Sequence, residues 1–85
     1  MHQGKEIILT GAVLRAARAL VDVSAAQLAI DAGVGERTIL RAEKDDGPCL
    51  MRLSNASSIV AALKDRGVVF LSADAGGGPG VRLES

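Results

Sequence analysis

The sequence predicts a mostly α-helical domain of four short helices that ends in a short β-hairpin. Apolar residues recur at helical spacing in four segments, and a glycine or a Gly-Pro pair follows three of them. A β-branched segment and an alternating one, separated by glycines, come after the last helix and indicate two strands. Hydrophobic residues make up 48% of the 85 residues but only one is aromatic, so aliphatic side chains must form the core.

The first helix is predicted over residues 10–21. Thr10 is a suitable N-cap, and Leu9 and Leu14 hold the two positions of a hydrophobic staple. The predicted buried face consists of Val13, Ala16, Ala17, Leu20 and Val21.

The second helix begins after Ser24 and ends near Ala32. Ser24 and Gln27 form a capping-box pattern, and Gly33 supplies the left-handed residue that commonly follows a helix. The remaining elements are a third helix, a fourth helix and two strands, over residues 35–44, 54–66, 68–71 and 81–83. The Asp-Asp-Gly-Pro run at 45–48 breaks the third helix.

Composition restricts the classes of function. Ten basic residues balance ten acidic ones, which counts against nucleic-acid binding unless positive charge gathers on one face. No apolar run approaches the roughly 18 residues of a membrane span, and residues 1–6 lack the pattern of a secretory signal. The single cysteine, Cys49, excludes an internal disulfide and a cysteine-based zinc site. We therefore expect a cytoplasmic protein without a membrane partner.

The chain contains no recognisable catalytic set. His2 has no partner cluster that would hold a metal, and Cys49 has no histidine close in sequence to act as a base. The Gly-Gly-Gly-Pro-Gly run at 76–80 lacks the lysine and the following helix of a phosphate-binding loop. No enzyme activity, metal or cofactor is expected.

Residues 24–44 are the informative stretch, because two short helices are joined there by a tight turn at Gly33-Val34. That arrangement is typical of a helix-turn-helix. Arg37, Arg41 and Lys44 recur at i, i+4 and i+7, with Leu40 beside them. Such a stripe alone is more often a solvated helix face, but its place after the turn favours DNA contact. The arginine guanidinium also suits this role, because it donates a bidentate pair of hydrogen bonds to guanine O6 and N7.

Residues 14–44 resemble the helix-turn-helix domains of the lambda-repressor/Cro-like family, also called the XRE family. The matching pattern is an arginine-bearing first helix, then S-x-x-Q-L-A, an A-G-V turn and T-I-x-x-x-E, and the resemblance covers residues 10–66. It implies a four-helix, lambda-repressor-like DNA-binding domain over 10–66 with its motif at 24–44. Residues 1–9 are then an N-terminal extension, and 67–85 form the hairpin.

The resemblance also implies roles for individual residues. By position it puts Gly35, Glu36, Arg37 and Arg41 at base-reading sites, and we add Leu40, which lies beside the arginine stripe. The start of the second helix, with Ser24, Ala25 and Gln27, is placed over a phosphate, and Lys44 of the stripe is a further candidate for a phosphate contact. Arg18 and Glu43 match a pair that ties the first helix to the third, whereas the plainer alternative is a bond from Arg18 to Asp22 on its own helix.

Two features depart from the family. The Asp45-Asp46 loop should repel phosphate, where family members often carry basic residues. A hairpin replaces the fifth helix, often the dimer contact, so the dimer candidates are Val68, Phe70, Val81 and Leu83. The hairpin would alternatively fold back over the helices of its own chain and cover Ile59 and Leu63.

The expected function is a DNA-binding transcriptional regulator, a repressor that binds double-stranded DNA as a homodimer with its third helix in the major groove. One alternative is the antitoxin of a toxin–antitoxin pair, whose tail binds the toxin. Another is a protein-interaction module that no longer binds DNA. RNA polymerase is a further candidate partner of a regulator.

Overall fold

The computed structural model describes residues 9–85. Its elements in chain order are α1 Gly11–Val21, α2 Ala25–Ala32, α3 Glu36–Ala42, α4 Leu53–Asp65, β1 Val68–Leu71 and β2 Gly80–Leu83. The prediction of a mostly helical chain with four helices and a C-terminal hairpin is confirmed. The predicted N-terminal extension, with His2, lies outside the described residues except for Leu9.

The predicted N-caps are confirmed for the first two helices. Thr10 Oγ1 accepts a hydrogen bond from the Val13 N–H at 3.0 Å, and Ser24 Oγ accepts one from the Gln27 N–H at 3.0 Å. The second half of the predicted capping box is wrong, since the Gln27 side chain donates to Asp31 Oδ1 at 2.8 Å instead of reaching back to Ser24. Asp31 lies one helical turn after Gln27, so its carboxylate is within reach of the Gln27 side-chain amide and replaces the Ser24 backbone as its partner.

The core is aliphatic and draws on all four helices. Its fully buried large side chains are Leu14, Leu28, Ile39, Ile59 and Leu63. The predicted buried face of α1 was partly wrong, because Ala16 and Leu20 are exposed and Leu14 is buried instead. The hairpin packs against α1 as well, so the covered stripe is rotated towards Leu14.

The chain leaves α3 two residues earlier than predicted, at Ala42, and turns back to the start of α1. The Gly11 N–H donates to the Gly47 carbonyl at 2.9 Å, and the Cys49 N–H donates to the Leu9 carbonyl at 2.9 Å. Gly11 is required at this contact, because a Cβ there would overlap the carbonyl of Asp45. Residues 45–49 therefore lie against the beginning of α1.

The hairpin is antiparallel, with Val68 opposite Leu83 and Phe70 opposite Val81. Alternation along the strands puts these four side chains on one face. Val68 belongs to the core, and Phe70 and Val81 pack against it, so this face covers α1 and α4 of the same chain. Three of the four predicted dimer candidates, Val68, Phe70 and Val81, are therefore used in the chain's own packing, whereas Leu83 on the same face is 43% exposed.

Candidate nucleic-acid interface

The turn between α2 and α3 is as short as the sequence predicts. Gly33 adopts the left-handed conformation, with φ of 70°, and the Val34 N–H donates to the Ala29 carbonyl at 3.0 Å. Gly35 follows as the N-cap of α3, without a side-chain hydrogen bond to the helix. Ile39 is fully buried, which anchors one side of α3 and leaves its opposite side in solvent.

Arg37, Leu40 and Arg41 lie on the exposed side of this helix, and Lys44 follows two residues after its end. Arg37, Leu40, Arg41 and Lys44 line one shallow, open concavity of about 320 Å³, which we call the α3 face. All four are exposed, and none of the three cations forms an ion pair within residues 9–85. Positive charge is thus concentrated here even though the chain as a whole is neutral. Gly35 and Glu36, also predicted to read bases, are exposed at the start of the same helix.

A partly buried ion pair holds the end of this helix against α1. Arg18 Nε donates to Glu43 Oε2 at 2.7 Å, and Arg18 Nη2 donates to Glu43 Oε1 at 2.8 Å. Arg18 Nη1 also donates to the Val23 carbonyl at 3.0 Å, and the hydrogen bonds to Glu43 raise the pKa of the Arg18 guanidinium. The alternative partner, Asp22, instead ends α1 with a left-handed φ of 52°.

Sequence reasoning missed a second arginine of α1 that contacts the same region. Arg15 Nη1 donates to the Glu43 carbonyl at 2.6 Å, and Arg15 Nη2 forms an ion pair with Asp46. The available signal was the spacing, since Arg15 and Arg18 lie three residues apart and share a side of α1. The contact offsets one of the two charges that the sequence places after α3, which leaves Asp45 outside the ion pairs of the described residues.

The predicted phosphate contacts lie at two places. Ser24, Ala25 and Gln27 are at the start of α2, whereas Lys44 lies on the α3 face. Alanine has no side-chain donor, so only the backbone N–H of Ala25 is a candidate, and Ser24 Oγ already accepts from the Gln27 N–H. Asp31 holds the Gln27 amide, and Arg66 Nε donates to the same carboxylate at 2.8 Å. Those hydrogen bonds, from Gln27 first and then Arg66, lower the pKa of Asp31.

A larger groove of about 390 Å³ lies beside the α3 face, between Arg41 and the start of α4. Cys49 lines it, with Sγ 3.7 Å from the Ala42 carbonyl. Burial, and secondarily the charge of Glu43, raises the pKa of this thiol, which makes it a weak nucleophile at neutral pH. Within residues 9–85, no cluster of three histidine, cysteine or carboxylate side chains is placed to hold a metal ion.

Over the same residues, no helix is both long enough and apolar enough to cross a bilayer. A comparison of the chain with known protein families found none that matches, and a comparison with curated proteins found no match either. Function therefore has to be argued from the geometry and charge of the site.

Proposed function

We propose that this protein binds double-stranded DNA sequence-specifically, as a helix-turn-helix protein that inserts α3 into the major groove. The observation that carries the proposal is the α3 face, where Lys44 lines the same concavity as three exposed residues of a short helix. The other side of that helix is anchored by Ile39, and its end is held by the Arg18–Glu43 pair. A reading helix needs this rigid support, because base contacts depend on accurate placement.

Each exposed residue of α3 has a matching partner in the groove. The guanidinium groups of Arg37 and Arg41 donate hydrogen bonds to guanine O6 and N7, and Glu36 accepts a hydrogen bond from the amino group of cytosine. Gly35 has no side chain to keep the helix start from the DNA. Lys44, at the end of the stripe, pairs with a phosphate as a flexible point charge.

A second phosphate contact is placed at the start of α2. The first N–H groups of a helix have no acceptor within it, and the helix dipole favours an anion there. The backbone N–H groups of Ala25 and Ala26 take this role, since Ser24 satisfies the one at Gln27. Gln27 contributes its amide by rotating away from Asp31.

The protein acts as a cytoplasmic transcriptional repressor that binds as a homodimer. One short module recognises few base pairs, and two copies address half-sites about 34 Å apart. Because the chain's own helices already cover Val68, Phe70 and Val81 on one face of the hairpin, we expect a second copy to use the opposite face or a strand edge. The opposite face carries Val69, Leu71 and Arg82.

A second candidate function is that of a protein-interaction module without DNA binding. The observation that favours it is the exposure of Leu50 and Leu53, which lie three residues apart around the start of α4 and are 98% and 81% exposed. Large exposed apolar side chains are a common component of contacts with other proteins.

Selection of bound duplexes from random DNA distinguishes the two functions. We expect one enriched motif, and its binding to weaken as the salt concentration rises. The double variant Arg37→Ala/Arg41→Ala should lose the motif, while the control variant Lys64→Ala, which removes an exposed cation of α4, should retain it. No enrichment at low salt, from folded protein, would contradict DNA binding and leave the interaction module as the function.

A further inference from the structure

Leu40 is an apolar side chain in a basic surface. It is 49% exposed and lies between Arg37, Arg41 and Lys44 in the same concavity. The core does not require it, because Ile39 fills the buried side of α3 completely and Val34 and Ala42 pack beside it. The position therefore exposes a leucine where a polar residue would be compatible with the fold.

We infer that Leu40 recognises the 5-methyl group of a pyrimidine in the major groove, an inference that rests on the proposed DNA-binding function. Of the groups that base pairs present in this groove, the thymine methyl is the apolar one. A 5-methylcytosine carries the same group at the same place. Arg37, Arg41 and Lys44 match the phosphates and guanines that surround such a methyl group in DNA. An apolar protein surface would instead leave all three charges unpaired.

Helical spacing restricts where this methyl group lies. Arg37, Leu40 and Arg41 span roughly 6 Å along the helix axis at about 1.5 Å per residue. Base pairs are about 3.4 Å apart. The methylated pyrimidine is therefore within about two base-pair steps of a guanine that Arg37 or Arg41 contacts. The recognised sequence combines guanine with an adjacent thymine or 5-methylcytosine.

The test uses the duplex enriched by selection and removes single methyl groups from it. Each thymine is replaced in turn by deoxyuridine, which changes only the methyl group, and Kd is measured for the full chain. One replacement should weaken binding about fourfold, which is the factor that corresponds to the free energy of burying one methyl group. In Leu40→Ala the same replacement should have no effect. Ile30→Ala truncates an exposed apolar residue of α2 and should keep the full sensitivity.

A second arm distinguishes the two sources of the methyl group. The critical thymine–adenine pair is changed to cytosine–guanine, with the cytosine either plain or 5-methylated. Tighter binding of the methylated duplex, lost in Leu40→Ala, means that 5-methylcytosine is also recognised; equal binding restricts the ligand to thymine.

The failures of the two proposals are distinguishable. An enriched motif whose thymines all tolerate deoxyuridine would overturn the role of Leu40 and leave DNA binding intact. Equal deoxyuridine sensitivity in Leu40→Ala would do the same, because another residue would then contact the methyl group. The absence of any enriched motif would remove the DNA-binding function and the methyl contact together.

Discussion

Glu43 accepts two hydrogen bonds from Arg18, at 2.7 and 2.8 Å, so that one planar pair joins the first helix to the end of the third. The Glu43 side chain is 8% exposed and that of Arg18 is 23% exposed. The pair is therefore largely removed from water, and the carboxylate depends on the guanidinium for its compensation. It fixes α3 relative to the body of the chain at the residue that follows the helix.

Loss of either partner should destabilise the fold. We expect Arg18→Ala to lower the free energy of unfolding by about 2–4 kcal/mol, below the roughly 3–5 kcal/mol of a deeply buried pair because Arg18 keeps some contact with water. Urea titrations of both single variants and the double variant give the coupling energy, expected at about 1–3 kcal/mol. Arg37→Ala, on the exposed face, is the control and should change stability by about 0.5 kcal/mol or less. Additive small losses would contradict the pair.

Gly11→Ala tests the contact between α1 and the segment that follows α3. The added methyl group would overlap the Asp45 carbonyl, so the backbone must shift, and we expect a loss of about 2–3 kcal/mol. Gly47→Ala is the matched control, since a Cβ there meets no atom of the described residues within 4 Å. Equal unfolding midpoints for the two variants would show that residues 45–49 do not lie against α1.

Arg37 and Arg41 should determine the preferred DNA sequence, if α3 enters the major groove. Each alanine variant should lose about 1–3 kcal/mol of binding and relax the preference at one base position. Lys44→Ala should weaken binding to all sequences evenly, because a phosphate carries no sequence information. Selected motifs from the three variants, compared column by column, provide the measurement. Unaltered motifs in both arginine variants would contradict the assignment.

The hairpin should form the dimer contact through its outward side. Leu71 is 40% exposed and lies on the face opposite Phe70, so Leu71→Lys should dissociate the dimer without disturbing the core. Leu20→Lys, at a residue 39% exposed on α1, is the matched control. Light scattering over a range of concentrations reports the mass. A Leu71→Lys chain that remains dimeric would place the interface elsewhere.

The Cys49 thiol should make stability depend on alkaline pH. Its folded pKa is raised above the ordinary value of 9.0, so folding retains a proton that the unfolded chain loses. The stabilising contribution of this thiol is complete below pH 9.0, its ordinary pKa, and is lost as the pH rises through the folded pKa. Urea midpoints measured from pH 7 to 10 should fall more for the parent chain than for Cys49→Ser. Alkylation at pH 7 should be slow in the folded protein and faster in urea.

The sequence by itself determined the local elements of this protein. Periodicity and capping residues act within a few positions of one another, so Thr10, Ser24 and Gly33 were sufficient to place the start of α1 and both ends of α2. The basic stripe of α3 was predictable for the same reason, because residues four apart on a helix share a face whatever surrounds it.

Only the tertiary structure decided which faces are covered and which charges are paired. Leu20 is exposed although helical periodicity places it on the buried face of α1, whereas Leu14, which the staple places beside Leu9, is fully buried. Arg15 pairs with Asp46 because residues 45–49 pass over the start of that helix, and Phe70 faces inward because α1 and α4 together offer an apolar surface. These outcomes depend on contacts between distant segments, which local periodicity does not encode.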